Sequence, residues 1–152
     1  MLLFWVIAAA VIWLFVLLFV RIDGLKKLWS VAVWSLLLAL FLNQTFVAKG
    51  LYLFQQVYFP YQGIPLAYFL GAAGAGIILI RFLPEERWWQ LLYLVLFTAV
   101  ISGVEFFAVE NGYLEYIQWS IHESFIFRLI AYIALTWLSS LTVKRKKTYR
   151  YR

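Results

Sequence analysis

Five stretches of nearly unbroken apolar residues alternate along this chain with short polar interruptions. The first, residues 1–20 (MLLFWVIAAAVIWLFVLLFV), carries no charge, and the others cover about 28–47, 66–83, 88–109 and 124–143. Each is close to the roughly 20 residues that carry a helix across a hydrocarbon core about 30 Å thick. Residues apolar on every side suit a helix bordered by lipid or by other helices, so five membrane-spanning helices are expected.

The interruptions read as turns and surface segments. Arg21 to Lys27 (RIDGLKK) is a short loop, and Pro84-Glu85-Glu86-Arg87 is a tight turn whose proline and acids suit the first turn of the next helix. Asn111-Gly112 marks the end of the fourth span. The stretch 48–65 (AKGLYLFQQVYFPYQGIP) is too short and polar to span, and its aromatics suit a segment lying in the interface, with a helical turn or two before Pro60. Residues 113–123 suit a short surface helix. The expected architecture is an all-α membrane protein: a five-transmembrane-helix bundle with short interfacial helices, forming one domain over 1–143 and followed by a basic tail over 144–152.

Composition supports the membrane class. Of 152 residues, 66% are hydrophobic and 13% charged, whereas a soluble domain is about half apolar and a quarter charged. A secretory signal peptide would need a basic start and a small-residue cleavage site after its apolar core, so the first span is expected to be retained. Cysteine is absent, which excludes disulfides, thiol chemistry and Cys-based metal sites.

The formal net charge of +6 sets orientation rather than nucleic-acid binding. With five spans, Arg21, Lys26, Lys27, Arg81, Arg87 and the tail fall on one side, leaving Lys49 opposite and Arg128 within a span. Basic residues collect on the cytoplasmic side, so the N-terminus is expected outside and the C-terminus in the cytoplasm of the inner cell membrane. Lys144, Arg145, Lys146 and Lys147 would then rest on anionic lipid. Trp5, Trp29, Trp88, Trp89, Tyr113, Tyr116 and Trp119 flank the apolar runs and read as interface anchors.

Two groups of residues carry specific interactions. In the third span, Gly71 with Ala75 and Ala72 with Gly76 are four apart and present small faces for close helix packing, the main source of helix association in lipid. No Lys-Ser/Thr accompanies these glycines, so they are not a phosphate loop. The second group is a polar layer. Glu105 lies about 25 Å along the fourth span and Arg128 about 6 Å into the fifth, which brings them to similar depth. Asn43 and Gln44 reach the same level, and Ser102 shares the helical face of Glu105. A lone charge at that depth costs a few kcal/mol and must face protein, water or an opposite charge. A Glu105–Arg128 pair is therefore expected, either holding two helices in register or forming an outward-opening pocket rimmed by Glu110, Glu115, His122 and Glu123.

These rim residues have hard donor atoms but no ligand spacing such as HExxH, and no metal or cofactor is expected. Ser120 and Ser124 lie near His122 without the pattern of an activated nucleophile, so no catalytic role is assigned.

Tyr58-Phe59-Pro60, Glu105, the Gly112–Trp119 segment, the short last span and the basic tail together resemble a family of small multi-pass membrane proteins from spore-forming bacteria. The likeness covers roughly residues 40–143, with Gln62 where the family has a basic residue. It implies a plasma-membrane location and no particular activity. Two functions are expected in outline. One is a non-enzymatic accessory or assembly protein that packs against another membrane protein or a second copy. The other is a binding or transport protein that holds a small polar or zwitterionic ligand, or a lipid headgroup, at Glu105 and Arg128.

Overall fold

A computed structural model describes residues 3–55 and 59–143. The basic tail, with Lys144, Arg145, Lys146 and Lys147, and Tyr58 lie outside the described residues. Helix α1 (Phe4–Phe15) continues through a π-helical turn (Val16–Val20) into α2 (Arg21–Ala48). Then come β1 (Tyr52–Phe54), β2 (Pro60–Tyr61), β3 (Ile64–Pro65), α3 (Leu66–Arg81), α4 (Arg87–Glu110), β4 (Leu114–Tyr116) and α5 (Ile121–Thr142). Three helical stretches are long and apolar enough to cross a membrane: the continuous run Phe4–Ala48, Arg87–Glu110 and Ile121–Thr142.

The 45-residue run is not a straight rod. Its first half packs along α3 through Ala9 and Ile12, and its second half packs along α3 through Ser35. Phe4 stacks on Tyr113, whereas Phe15 meets Phe82 at the other end of the bundle. The chain therefore reverses at Arg21, a non-glycine residue at φ 60° and ψ 164°. That region is almost reserved for glycine and costs about 1–3 kcal/mol. The segment expected as the loop Arg21–Lys27 is helical, and the reversal is concentrated at its first residue. The five α-helices then run alternately up and down between an end carrying the strands and an end carrying Arg21 and the Phe82–Glu86 turn.

Helix α3 is the central element. It has 16 residues, or about 24 Å of rise, and most of its second half is buried. The small residues sit where the packing is closest. A Cβ on Gly76 would fall 2.5 Å from Ser35, and one on Gly74 would fall 2.6 Å from Ile12. Gly71 has ordinary contact distances, 3.6–3.9 Å, to Ile12 and Ala9. Polar locks reinforce both sides: Trp13 Nε1 donates to the Leu70 carbonyl at 3.0 Å, and Ser35 Oγ donates to the Ala72 carbonyl at 2.7 Å.

The connecting segments are where the structure departs from the expected short interfacial helices. β1 pairs antiparallel with β4, placing Tyr52 opposite Tyr116 and Phe54 opposite Leu114. β2 and β3 form a second small antiparallel pair. Tyr52 and Phe54 point into the bundle and Leu53 points away, a two-residue alternation that suits aromatic residues on a pleated strand. The last helix begins at Ile121 rather than Ser124. Ser120 caps it by accepting from the Glu123 amide at 3.3 Å while donating to the Glu123 carboxylate at 3.0 Å. Ser-x-x-Glu is the sequence signature of that cap.

The aromatic anchors divide into two sets. Trp29, Trp88 and Trp89 are exposed. Tyr113 is buried, and Trp5, Tyr116 and Trp119 turn into the strand end, where Trp5 packs against Phe54 and Tyr68, and Trp119 against Phe46 and Phe127.

Candidate functional site: a polar cluster in the wall of a cavity

Glu105 is buried near the strand end of α4, and Arg128 faces it from the first turns of α5. Their side chains form a direct ion pair between Arg128 Nη2 and Glu105 Oε2. Arg128 Nη1 also donates to Ser102 Oγ at 2.9 Å. The other carboxylate oxygen, Oε1, accepts from Tyr116 Oη at 2.6 Å and from Ser124 Oγ at 2.6 Å. Both oxygens of the buried carboxylate are thus occupied, as a charge removed from water requires.

Asn43 reaches the same layer from α2. Its Oδ1 accepts from Tyr52 Oη at 2.6 Å, while its Nδ2 donates back to the Ala39 carbonyl at 2.8 Å. The Tyr68 hydroxyl of α3 lies close to both Asn43 and Arg128, joining the two halves of the layer. Burial raises the Tyr52 hydroxyl far above the ordinary tyrosine value, and burial followed by the Glu105 charge raises that of Tyr116. Both phenols therefore stay protonated at neutral pH and act as donors.

The cluster forms part of the wall of a cavity of about 760 Å³ to which all five helices contribute. Its volume falls within the usual range of small-molecule pockets, roughly 300–1,000 Å³. Glu105, Arg128, Asn43, Tyr68, Tyr132 and Ser124 supply polar groups, and Phe, Trp, Ile, Val and Ala side chains supply most of the rest. Glu105 and Arg128 are the charged residues that line it, so its wall carries no net charge.

The expected residues fall into clear groups. Glu105, Arg128 and Ser102 come together as anticipated, with Ser102 bound to Arg128 rather than lining the cavity. Asn43 lines the cavity with Glu105 and Arg128, but Gln44 does not. One residue along a helix turns the side chain by about 100°, so adjacent amides cannot share a face. The expected rim is also corrected. Glu110, Glu115, His122 and Glu123 are all exposed, and none lines the cavity. Glu115 instead accepts from Gln55 Nε2 at 2.8 Å across the β1–β4 pair, and Glu123 belongs to the α5 cap. No group of three or more potential metal ligands occurs among the described residues. Gly71 and Gly76 lie at helix contacts within the chain, and the Ala72 carbonyl accepts from Ser35, while Gly71, Ala72 and Ala75 also line the cavity.

Tyr52, Tyr68, Tyr116, Ser124 and Tyr132 were not anticipated from the sequence. Ser124 lies four residues before Arg128, a spacing that puts the two on one face of α5. Tyr52 and Tyr116 carry no comparable signal, because the strand pairing that aims them is long-range.

Comparison with known protein families, characterised proteins and solved structures finds no match to this chain.

Proposed function

We propose that the chain is a five-span protein of the bacterial cell membrane that binds an amphiphilic ligand, with the ligand's polar head at the Glu105–Arg128 layer. The N-terminus and the strand end would lie outside and the C-terminus in the cytoplasm. Up-and-down helices support this topology, as does the gathering of Arg21, Lys26, Lys27, Arg81 and Arg87 at the end away from the strands. The short α3 fits because its neighbours are protein for most of its length.

The observation that carries the binding reading is the cavity itself. A pair serving solely as glue between α4 and α5 would be most stable with packed side chains around it. Here the pair forms part of the wall of a space of about 760 Å³ that reaches across to α1, α2 and α3. An assembly role draws its motivation from the small-residue faces of α3, where Gly71, Gly74 and Gly76 already meet α1 or α2 within the chain.

Native mass spectrometry of protein gently extracted from its own membrane tests the reading. A defined ligand mass on the chain is expected, and it should be lost from the double variant Glu105→Gln, Arg128→Gln, which removes both charges without stranding either. Well-folded wild-type protein that carries no such mass would overturn the proposal.

A further inference from the structure

The cavity has an apolar flank between α1 and α4, most of whose lining residues are exposed. On α1, Phe4, Ile7 and Val11 are spaced three and four apart and so share one face; on α4, Val100, Val104 and Phe107 do the same. All six line the cavity. Ile7, Val11, Val100, Val104 and Phe107 are also exposed, from 42% for Val104 to 66% for Val100. The helices run antiparallel, so Phe4 stands opposite Phe107, Ile7 at the level of Val104, and Val11 at the level of Val100. Phe4 and Phe107 meet, with ring centroids 5.9 Å apart, and close the gap near the strand end. Below them α1 packs on α3 and α4 on α5, leaving a seam between the two pairs. Gly103 lies in this seam: it lines the cavity, it is exposed, and a Cβ added there would meet nothing within 4 Å.

We infer that this seam is a lateral portal through which the tail of a membrane amphiphile without net headgroup charge occupies the cavity. The inference rests on the binding reading above and adds the class of ligand and its route. Three features point to that occupant. The portal is apolar along its length, so a hydrocarbon chain crosses it without losing hydration, whereas a water-soluble solute would first have to cross lipid. Apart from Ser35, whose hydroxyl is bound to the Ala72 carbonyl, the polar groups gather toward the strand end of the space, matching a molecule with one polar end. Glu105 and Arg128 neutralise each other, so a headgroup with net charge would add an uncompensated charge in a low-dielectric site, at considerable cost. An uncharged head such as that of diacylglycerol, or a zwitterionic one such as that of phosphatidylethanolamine, adds none.

The test uses the full chain in nanodiscs doped with diacylglycerol, phosphatidylethanolamine or phosphatidylglycerol carrying a photoreactive group on the acyl chain. After irradiation, adducts are mapped by peptide mass spectrometry. The two lipids without net charge should label inward-facing positions such as Ala72, Ala131 and Leu135, with phosphatidylglycerol labelling them about tenfold less, equivalent to about 1.4 kcal/mol. Which of the two labels more strongly identifies the headgroup source. Gly103→Leu, whose Cβ would meet nothing within 4 Å, should cut the inner adducts by about tenfold while leaving the thermal midpoint in place. Ile7→Trp blocks the seam from the opposite wall and should act alike, and Ile133→Phe, at an exposed position of α5 that does not line the cavity, should change nothing. Unchanged inner adducts in both blocking variants would overturn the portal even if native mass spectrometry still finds a bound ligand. Equal labelling by phosphatidylglycerol would overturn the charge selection, and adducts confined to outer surfaces would overturn occupation by a tail. A wild-type chain with no bound mass would instead remove the binding reading itself.

Discussion

Arg128 and Glu105 pair across the α4–α5 contact, and each side chain has a further polar partner on the opposite helix. Arg128 donates to Ser102, while Glu105 accepts from Ser124 and from Tyr116 of β4. The pair thereby ties the strand segment to the helix bundle as well as one helix to another.

Removing either charge alone strands the other. Glu105→Gln and Arg128→Gln are each expected to destabilise the protein by about 3–5 kcal/mol, the range for a broken buried pair. The neutral double variant should cost clearly less than the sum of the two, because the contacting residues are coupled. Thermal unfolding in detergent across the four proteins measures this. Additive losses would mean that the charges do not act as a pair.

The glycines of α3 should not respond alike to alanine. Gly76→Ala places a Cβ 2.5 Å from Ser35 and 3.2 Å from Leu135, and the overpacking should cost about 1–3 kcal/mol. Gly71→Ala meets neighbours at ordinary distances and should be neutral or stabilising by up to about 1 kcal/mol through helix propensity. Melting temperatures of the two single variants decide the matter, and equal losses would contradict the close α2–α3 approach at Gly76.

The Tyr116 hydroxyl donates to a carboxylate, so Tyr116→Phe deletes a charge-assisted hydrogen bond. A loss of about 1.5–3 kcal/mol is expected. Tyr52→Phe leaves Asn43 Oδ1 short of a donor and should cost about 1–3 kcal/mol. Tyr61→Phe, at an exposed position, provides the comparison and should be neutral.

The same phenols give a pH dependence. Their folded-state values are raised above the ordinary 10, so the unfolded chain ionises first as pH rises. The stability they contribute is complete below pH 10 and falls progressively above it. Urea or thermal unfolding on either side of this threshold should show that loss, and Tyr52→Phe should reduce it. A stability that stays level above the threshold would contradict burial of these hydroxyls.

Much of the helical frame was legible along the chain because its signals are local. Long apolar runs, Pro84, Asn111-Gly112 and the small residues of α3 each declare a helix, a stop or a close contact within a few positions. Depth follows from residue count along a helix, which is why Glu105, Arg128, Ser102 and Asn43 were grouped in advance. The same counting misled at Gln44 and at the acidic residues of 110–123, because depth says nothing about the direction in which a side chain turns.

Tertiary structure decided the rest. Tyr52 and Tyr116 become partners of Asn43 and Glu105 because β1 pairs with β4, segments sixty residues apart whose pairing no local pattern encodes. The cavity exists because α1 packs on α3 and α4 packs on α5 without closing on each other, and empty space leaves no mark in a run of apolar residues. By itself the sequence determined most of the long helical segments and how far along them Glu105 and Arg128 lie, since both depend on neighbouring residues and rise per residue. Which faces meet, and what is left open between them, was determined by the packing of all five helices at once.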